Sequence, residues 1–361
     1  MFKNILLCVF SILITLVFGE IIVRWVSPQN LNGMWIMFSE HGYVMNRETG
    51  FVKQKWKDST VTYRFYQFHL RDTPYRSEIT SILTLGDSFT FGMLLPWNQT
   101  YLYQLQEATN QLFGKDQYQF LNASTSSWGL ADYLAYLEDY GEKIAPKYVL
   151  VFLNTDDIGR GLRKNIYKLP DDPKSLQLVD NLKPMPYYKI KNLMVQSSWL
   201  FENIHLAQLM RSSAMRAYYR YLYKDPLKTR LLHTNMLYSN AHISTSLNYA
   251  IKDEEGIRFG NAAFHRMNEW CKKHHAKLIV ITTGFNAFFS PTLHEPTNAF
   301  LSQAKTFFEQ EGVAYYDIAS SFKEASFGKV FQFEGDNHPN QEGARLIAEI
   351  SWPYLKQELE K

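Results

Sequence analysis

The first apolar pattern along the chain is an unbroken run at its N-terminus. Ile5–Phe18 contains no charged residue, and apolar character resumes after Glu20 and continues to Val23. Counted to Val23, the run reaches the roughly 20 residues that span a bilayer. We interpret residues 1–25 as an uncleaved signal anchor; a cleaved signal peptide or a buried core helix are the alternatives. With Lys3 as the only early charge, we expect the N-terminus inside and the rest of the chain outside.

From residue 81 onward, short apolar runs alternate with amphipathic stretches. The runs predict strands and the amphipathic stretches predict helices. Their order is strand Ser81–Leu85, helix Thr100–Phe113, strand Tyr118–Leu121, helix Leu130–Ile144 and strand Tyr148–Leu153. This βαβαβ order is typical of a parallel sheet with helices on both faces. We therefore expect a three-layer α/β/α, flavodoxin-like domain.

The alternation is interrupted between residues 159 and 256. Pro-rich loops in this segment lead into a helical, aromatic and basic stretch at Trp199–Lys224, which we interpret as a helical insertion that forms a lid or wall. Residues 26–80 are polar and aromatic, with strand-like stretches such as Val61–Phe68, and we expect them to be a connector or cap before a domain at 81–361. The alternation returns with helix Arg258–His274, strand Ala276–Thr283, helix Asn298–Gly312, strand Val313–Ile318 and helix Asn340–Leu359.

Composition places the chain among globular proteins and limits its partners. Of the 361 residues, 46% are hydrophobic and 20% are charged, which suits a packed core. The net charge of +3 gives no reason to expect a nucleic-acid partner. Cys8 and Cys271 are too few for a disulfide framework. We predict no metal and no cofactor, because His274-His275 lacks further ligands at a useful spacing in the sequence.

A serine follows the first strand of the predicted sheet, in the tripeptide Gly86-Asp87-Ser88. Open α/β sheets bind ligands at the carboxyl ends of their strands, and glycine permits a tight turn at such an end. Ser88 can therefore present its hydroxyl at the sheet edge and its amide near a helix N-terminus. A serine at this place also caps helices in ordinary strand-to-helix turns. The tripeptide alone favours the capping interpretation.

A second motif lies just before the last predicted helix. Asp336 and His338 stand two residues apart in a loop that Pro339 restricts. In such a loop an imidazole can take the proton of a serine while the carboxylate fixes its tautomer and stabilises its charge. Asp and Pro are also common in turns, so this motif alone favours a turn.

The two motifs together are more informative than either one. GDSFTFG at 86–92 and DNHPNQEGARLIAE at 336–349 resemble the first and last sequence blocks of the SGNH (GDSL-type) hydrolases. FLNASTSS at 120–127 resembles the second block, and YVLVFLNTDD at 148–157 resembles the third. The apolar N-terminus followed by Glu and Arg is similar to the membrane-anchored members of this family.

The resemblance covers roughly residues 81–158 and 258–360, and it implies an acyl-transfer mechanism. Ser88 would attack an ester carbonyl, and His338 would act as general base and then as general acid. Asp336 would orient His338. The oxyanion would be bound by the Ser88 amide and by donors of the second and third blocks.

Three positions depart from the family pattern. The last block reads D-x-H where D-x-x-H is usual, which we interpret as a subfamily trait. Ser127 replaces a glycine, but its backbone amide can still donate unless glycine dihedral angles are required. Asp156 aligns with the asparagine of the third block, and an ionised carboxylate accepts hydrogen bonds and does not donate them. Either burial protonates Asp156, Asn154 supplies the donor after a local shift, or catalysis is weak or absent.

The sequence thus predicts a membrane-anchored, extracytoplasmic serine esterase of the SGNH type. It would remove or transfer O-acyl groups on a cell-envelope glycan or a lipid-linked substrate. We expect a cell-envelope substrate because of the predicted anchor, and a bulky substrate because of the aromatic insertion. Two alternatives stay open, and the oligomeric state is not predicted. One is a catalytically impaired binding or scaffold protein with this fold, and the other is a polysaccharide O-acetyltransferase that uses the same triad.

Overall fold

The structure is a computed structural model that describes residues 2–154, 156–164, 166–168, 175–178, 188–223, 253–283 and 296–361. Within these residues the strands are β1 Ile36–Phe38, β2 Val44–Asn46, β3 Gly50–Trp56, β4 Ser59–Tyr66, β5 Leu70–Arg71, β6 Thr80–Leu85, β7 Tyr118–Asn122, β8 Tyr148–Leu153, β9 Tyr167–Lys168, β10 Gln177–Leu178, β11 Lys277–Thr282 and β12 Ala314–Asp317.

The α-helices of the same part are α1 Phe2–Val26, α2 Ser88–Phe91, α3 Tyr101–Phe113, α4 Leu130–Ile144, α5 Asp157–Lys164, α6 Tyr188–Gln196, α7 Ser198–Asn203, α8 His205–Tyr223, α9 Asp253–Lys273, α10 Pro296–Glu311, α11 Ala319–Ser326 and α12 Gln341–Leu359. The predicted helices agree with these bounds to within a few residues. Thr100 and Asn340, predicted as first helical residues, are the N-caps of α3 and α12.

The central sheet contains eight strands in the order β12-β11-β8-β6-β7-β5-β4-β3. The first five are parallel to one another. Their side chains alternate between two apolar layers, because successive residues of a strand point to opposite faces. Leu83 and Leu85 pack in a core with α4, α9 and α10, whereas Ile82 packs in a core with α3 and α12. The predicted three-layer α/β/α arrangement is confirmed.

The sheet is mixed, although the sequence predicted a parallel one. Residues 50–71 add β3, β4 and β5 to one edge, each antiparallel to its neighbour. In β4 every second residue is buried (Val61, Tyr63 and Phe65), as expected of an antiparallel strand with one exposed face. The two-residue β5 is too short to leave a periodic signal in the sequence. The division of the chain at residue 81 stays a prediction.

The N-terminal helix and the insertion lie outside this sheet. In the described part of the chain α1 is long and apolar enough to cross a membrane, and no part of its most apolar window is buried. A buried core helix is therefore inconsistent with the structure. Of the described residues predicted as the insertion, 166–223 contain α6, α7 and α8 and the small β9–β10 pair, whereas residues 159–164 belong to α5 and residues 253–256 to α9. The predicted helical stretch at Trp199–Lys224 falls on α7 and α8, except for its last residue, which lies outside the described residues.

A buried arginine connects the antiparallel edge to the loop that follows α2. Arg71 of β5 donates to the carbonyl oxygens of Phe91, Gly92 (2.8 Å) and Leu95 (2.6 Å). Its Nε pairs with Asp72 at 2.9 Å, and its guanidinium lies 4.3 Å from the ring centroid of Phe91. A guanidinium has five N–H donors, and burying it is costly unless those donors are paired. These contacts therefore fix both the arginine and the loop.

We expect Arg71→Ala to lower the free energy of unfolding by about 3–5 kcal/mol, because Asp72 would lose its buried counter-ion and the loop carbonyls their donors. Arg64→Ala, in β4 and exposed, is the matched control and should change it by less than ~0.5 kcal/mol. Equilibrium urea unfolding measures both variants. Equal, small losses would contradict this role of Arg71.

Candidate active site

The serine predicted as nucleophile stands at the C-terminal end of β6, in the middle of the sheet. α2 begins at Ser88, directly after the turn Gly86-Asp87. The helix is capped by the Asp87 carboxylate, which accepts from the Phe89 N–H at 2.9 Å. A side chain at residue 86 would overlap Thr90, so the turn requires glycine. The capping interpretation thus applies to Asp87, and the Ser88 hydroxyl is left for another role.

Ser88, His338 and Asp336 form a continuous hydrogen-bonded chain. His338 Nε2 lies 2.8 Å from Ser88 Oγ, and His338 Nδ1 lies 2.5 Å from Asp336 Oδ1. With the imidazole proton on Nδ1, the ring donates to the carboxylate and accepts from the serine hydroxyl. Ser88 is 8% exposed. This geometry is what a general base needs in order to take the serine proton.

The loop that carries His338 is fixed by its own backbone. The Phe333 N–H donates to the His338 carbonyl at 3.2 Å, and the Asp336 carboxylate also accepts from the His338 N–H at 2.8 Å. Burial raises the pKa of Asp336, but the hydrogen bonds from the His338 ring and backbone N–H, together with the electrostatic interaction with that ring, outweigh it and hold that pKa below its ordinary value. Asp336 is thus held ionised, as an orienting carboxylate must be.

The second predicted donor, Ser127, follows β7 in a loop. Its φ of 68° lies in the left-handed region that favours glycine, so serine adopts here the backbone of the residue that the family pattern has. Its carbonyl accepts from Lys164 Nζ at 2.6 Å, and that ammonium also pairs with the buried Asp132 at 2.5 Å. In the described part of the chain, neither the Ser88 N–H nor the Ser127 N–H donates to another group.

The two candidate donors after β8 are placed differently. Asn154 Nδ2 points to Asp87 Oδ2 at 3.4 Å, and Asn154 Oδ1 accepts from Thr283 Oγ1 at 3.5 Å. Asp156 forms an ion pair with Arg160 and is 24% exposed in its side chain. The Asp156 side chain is thus only partly buried and has a cationic partner. The Asn154 amide is thus directed to Asp87, the residue before Ser88, whereas Asp156 is paired with Arg160.

Three carboxylates lie together behind the serine turn. Oxygens of Asp87, Asp156 and Asp157 are within 4.8 Å of one another, a spacing that could hold a metal ion. The cation among them is instead the Arg160 guanidinium, which pairs with Asp156 and lies 3.5 Å from Asp87 and 3.7 Å from Asp157. Burial and the neighbouring carboxylates raise the pKa of Asp87 and of Asp157, and Arg160 opposes both shifts.

Sequence reasoning missed Arg160 and Lys164, which are one turn apart on α5. Arg160 donates to the Trp128 carbonyl at 2.5 Å and Lys164 to the Ser127 carbonyl. The two cations therefore hold the Ser127 loop against α5. The only signal was their i, i+4 spacing directly after the third block.

No protein-family model and no curated protein matches the chain. It is similar to solved structures of esterases and lipolytic hydrolases. TesA is 15% identical, with a TM-score of 0.43, over 77% of this chain and 99% of TesA. Esterase EstA from Pseudoalteromonas sp. is 14% identical, with a TM-score of 0.42, over 78% and 100%. A lipolytic protein of the G-D-S-L family from Veillonella parvula is 12% identical, with a TM-score of 0.41, over 76% and 97%.

We expect Arg160→Met to lower the free energy of unfolding at pH 8 by about 3–5 kcal/mol, because it leaves buried carboxylates without a counter-ion. The pKa of Asp87 and of Asp157 would rise further. A carboxyl whose pKa is raised by folding makes its most favourable contribution to the free energy of unfolding at low pH, where it is protonated. That contribution is lost as the pH rises and the carboxyl ionises. The loss of unfolding free energy caused by Arg160→Met should therefore be smaller at pH 5 than at pH 8. Adding Asp156→Asn to this variant should recover part of the loss. Urea unfolding at both pH values measures this; a deficit independent of pH would contradict it.

Proposed function

We propose that this protein is a serine esterase of the SGNH type. The observation that carries the proposal is the hydrogen-bonded chain from Ser88 through His338 to Asp336. Ser88 Oγ attacks an ester carbonyl while its proton passes to His338 Nε2. His338 then gives that proton to the alcohol oxygen as the ester C–O bond breaks. The alcohol departs, and the acyl group stays on Ser88. A water molecule, activated by His338 in the same way, hydrolyses the acyl-serine and regenerates Ser88.

The negative oxygen of each tetrahedral intermediate needs donors. We assign this role to the N–H groups of Ser88 and Ser127 and to the Asn154 amide, since Asp156 is an acceptor paired with Arg160. One such donor contributes roughly 2.7–4 kcal/mol to the transition state. The local shift from residue 156 to Asn154 is supported by the position of the Asn154 amide, whose Nδ2 lies 3.4 Å from the carboxylate of Asp87, the residue before Ser88.

The substrate is proposed to be an O-acylated glycan or a lipid-linked ester of the cell envelope. A polysaccharide O-acetyltransferase is the related alternative, because it forms the same acyl-serine and passes the acyl group to a sugar hydroxyl instead of water. A scaffold protein that has lost catalysis is the alternative from another class. It is disfavoured by the intact geometry around Ser88.

We propose that α1 anchors the protein with residues 27–361 on the extracytoplasmic side. The helix has 25 residues, or roughly 38 Å at 1.5 Å per residue, against a bilayer core of about 30 Å. The single acid within it, Glu20, lies near its C-terminal end and accepts from the His205 and Leu206 N–H groups (3.2 and 2.8 Å) at the start of α8. These bonds connect the anchor to the insertion.

The esterase proposal is tested by hydrolysis of p-nitrophenyl acetate. Ser88→Ala and His338→Ala should each lower kcat by about 10³-fold or more, because members of a triad act as a unit. Ser302→Ala, on the exposed surface of α10, is the matched control and should keep the wild-type kcat. Unchanged turnover in Ser88→Ala contradicts the proposal. Release of acetate to water, compared with its transfer to an added oligosaccharide, separates the hydrolase from the transferase.

The anchor is tested by membrane fractionation of cells. We expect the full chain to resist extraction by alkaline carbonate and a chain lacking residues 1–26 to become extractable, because about 20 apolar residues provide stable insertion. A protease added outside the membrane should digest the full chain while a cytoplasmic marker survives. N-terminal sequencing should find Met1 or Phe2; a mature N-terminus after residue 18 would show a cleaved signal instead.

A further inference from the structure

A cleft lies beside the loop that carries His338. Its volume is about 570 Å³, within the range of ~300–1,000 Å³ that is usual for small-molecule sites. Leu95, Asn98, Gln99 and Gln104 form the wall before and at the start of α3, and Phe333 and the start of α12 form the opposite wall. Ser88, Asp336 and His338 do not line this cleft.

Four amide side chains face the cleft without protein partners. Asn98, Gln99, Gln104 and Gln341 make no side-chain hydrogen bond within the described part of the chain. The amide of Asn340, in contrast, is engaged in capping α12. Each free amide offers two donors and one acceptor, which matches a ligand whose groups both donate and accept, such as a row of hydroxyls.

The charges that line the cleft cancel. Arg345 pairs with Glu342 at 2.6 Å and also with Glu349, so its guanidinium is not available as an anion site. The remaining lining is apolar, from Leu95 and Phe333. A neutral ligand with hydroxyl edges and apolar C–H faces has this combination of properties, and a sugar ring is such a ligand. A long acyl chain would offer no hydrogen-bond partner to these amides, of which Asn98 and Gln341 are exposed and Gln99 and Gln104 half-buried.

The cleft adjoins both ends of the loop that carries His338, at Phe333 and Asn340. In the proposed reaction His338 gives its proton to the alcohol oxygen, so the alcohol part of the ester lies on the His338 side of Ser88. Phe333, which lines the cleft, is bonded through its N–H to the His338 carbonyl. We propose that the cleft binds sugar residues of an O-acylated glycan, as the alcohol part of the substrate. The inference rests on the proposed esterase function and narrows its substrate from glycan or lipid to glycan.

The test uses the full chain with the substitution pair Gln99→Ala and Gln104→Ala. Its measure is kcat/KM for O-acetylated xylotetraose, mannotetraose and N-acetylchitotetraose, each divided by kcat/KM for p-nitrophenyl acetate. For the preferred glycan the ratio should fall about tenfold, the size expected from losing one or two neutral hydrogen bonds. Gln111→Ala, on α3 but outside the cleft, is the matched control and should keep the wild-type ratio. Monododecanoylglycerol is the lipid ester for comparison.

Binding without catalysis separates failure of this inference from failure of the esterase proposal. Calorimetry with Ser88→Ala should show binding of one of the three oligosaccharides, weakened about tenfold by the glutamine pair. That result would support sugar binding in the cleft even if the wild-type protein hydrolyses no ester. The inference is overturned if no oligosaccharide binds, if the ratio is unchanged in the glutamine pair, or if turnover of monododecanoylglycerol falls as much as that of the glycan.

Discussion

The arrangement around Ser88 depends on one buried carboxylate, that of Asp87. It caps the short helix that begins at Ser88, faces the Asn154 amide at the end of the neighbouring strand, and lies 3.5 Å from Arg160. A buried charge of this kind is tolerated only when hydrogen bonds and a counter-ion compensate for lost hydration. The serine, the third block and α5 are therefore coupled through a single side chain.

The other half of the site is built independently. The His338 loop is positioned by its own backbone bonds and by Asn340, which caps α12. It meets Ser88 across 250 residues of sequence through one hydrogen bond. Two separately fixed segments thus meet at hydrogen-bonding distance in an arrangement that the fold itself holds. The proposed esterase would need such an arrangement for electrostatic stabilisation of its transition state.

Much of the fold was predictable because its signals are local. The apolar strands and amphipathic helices of the α/β domain leave a periodic pattern, and the two motifs fall at strand and helix ends where ligands bind. Ser88, Asp336 and His338 were found together for this reason. The strand character of β4 was recognised, but its place in an antiparallel edge of the sheet was missed. The connection to the parallel strands is β5, which has only two residues and is defined by its partners. Arg71, Arg160 and Lys164 were missed because their roles depend on carbonyl groups that are remote in the sequence or positioned by the fold.

Covalent labelling of Ser88 by a fluorophosphonate tests the central claim most directly, because the probe reports an activated serine whatever the natural substrate is. We expect a single labelled peptide containing Ser88. Labelling should be abolished in the double variant Asp336→Asn/His338→Ala and retained in the exposed-surface variant Ser302→Ala. Absence of label at Ser88 in the folded wild-type protein, or equal labelling in the variant without the His338 imidazole, would contradict it.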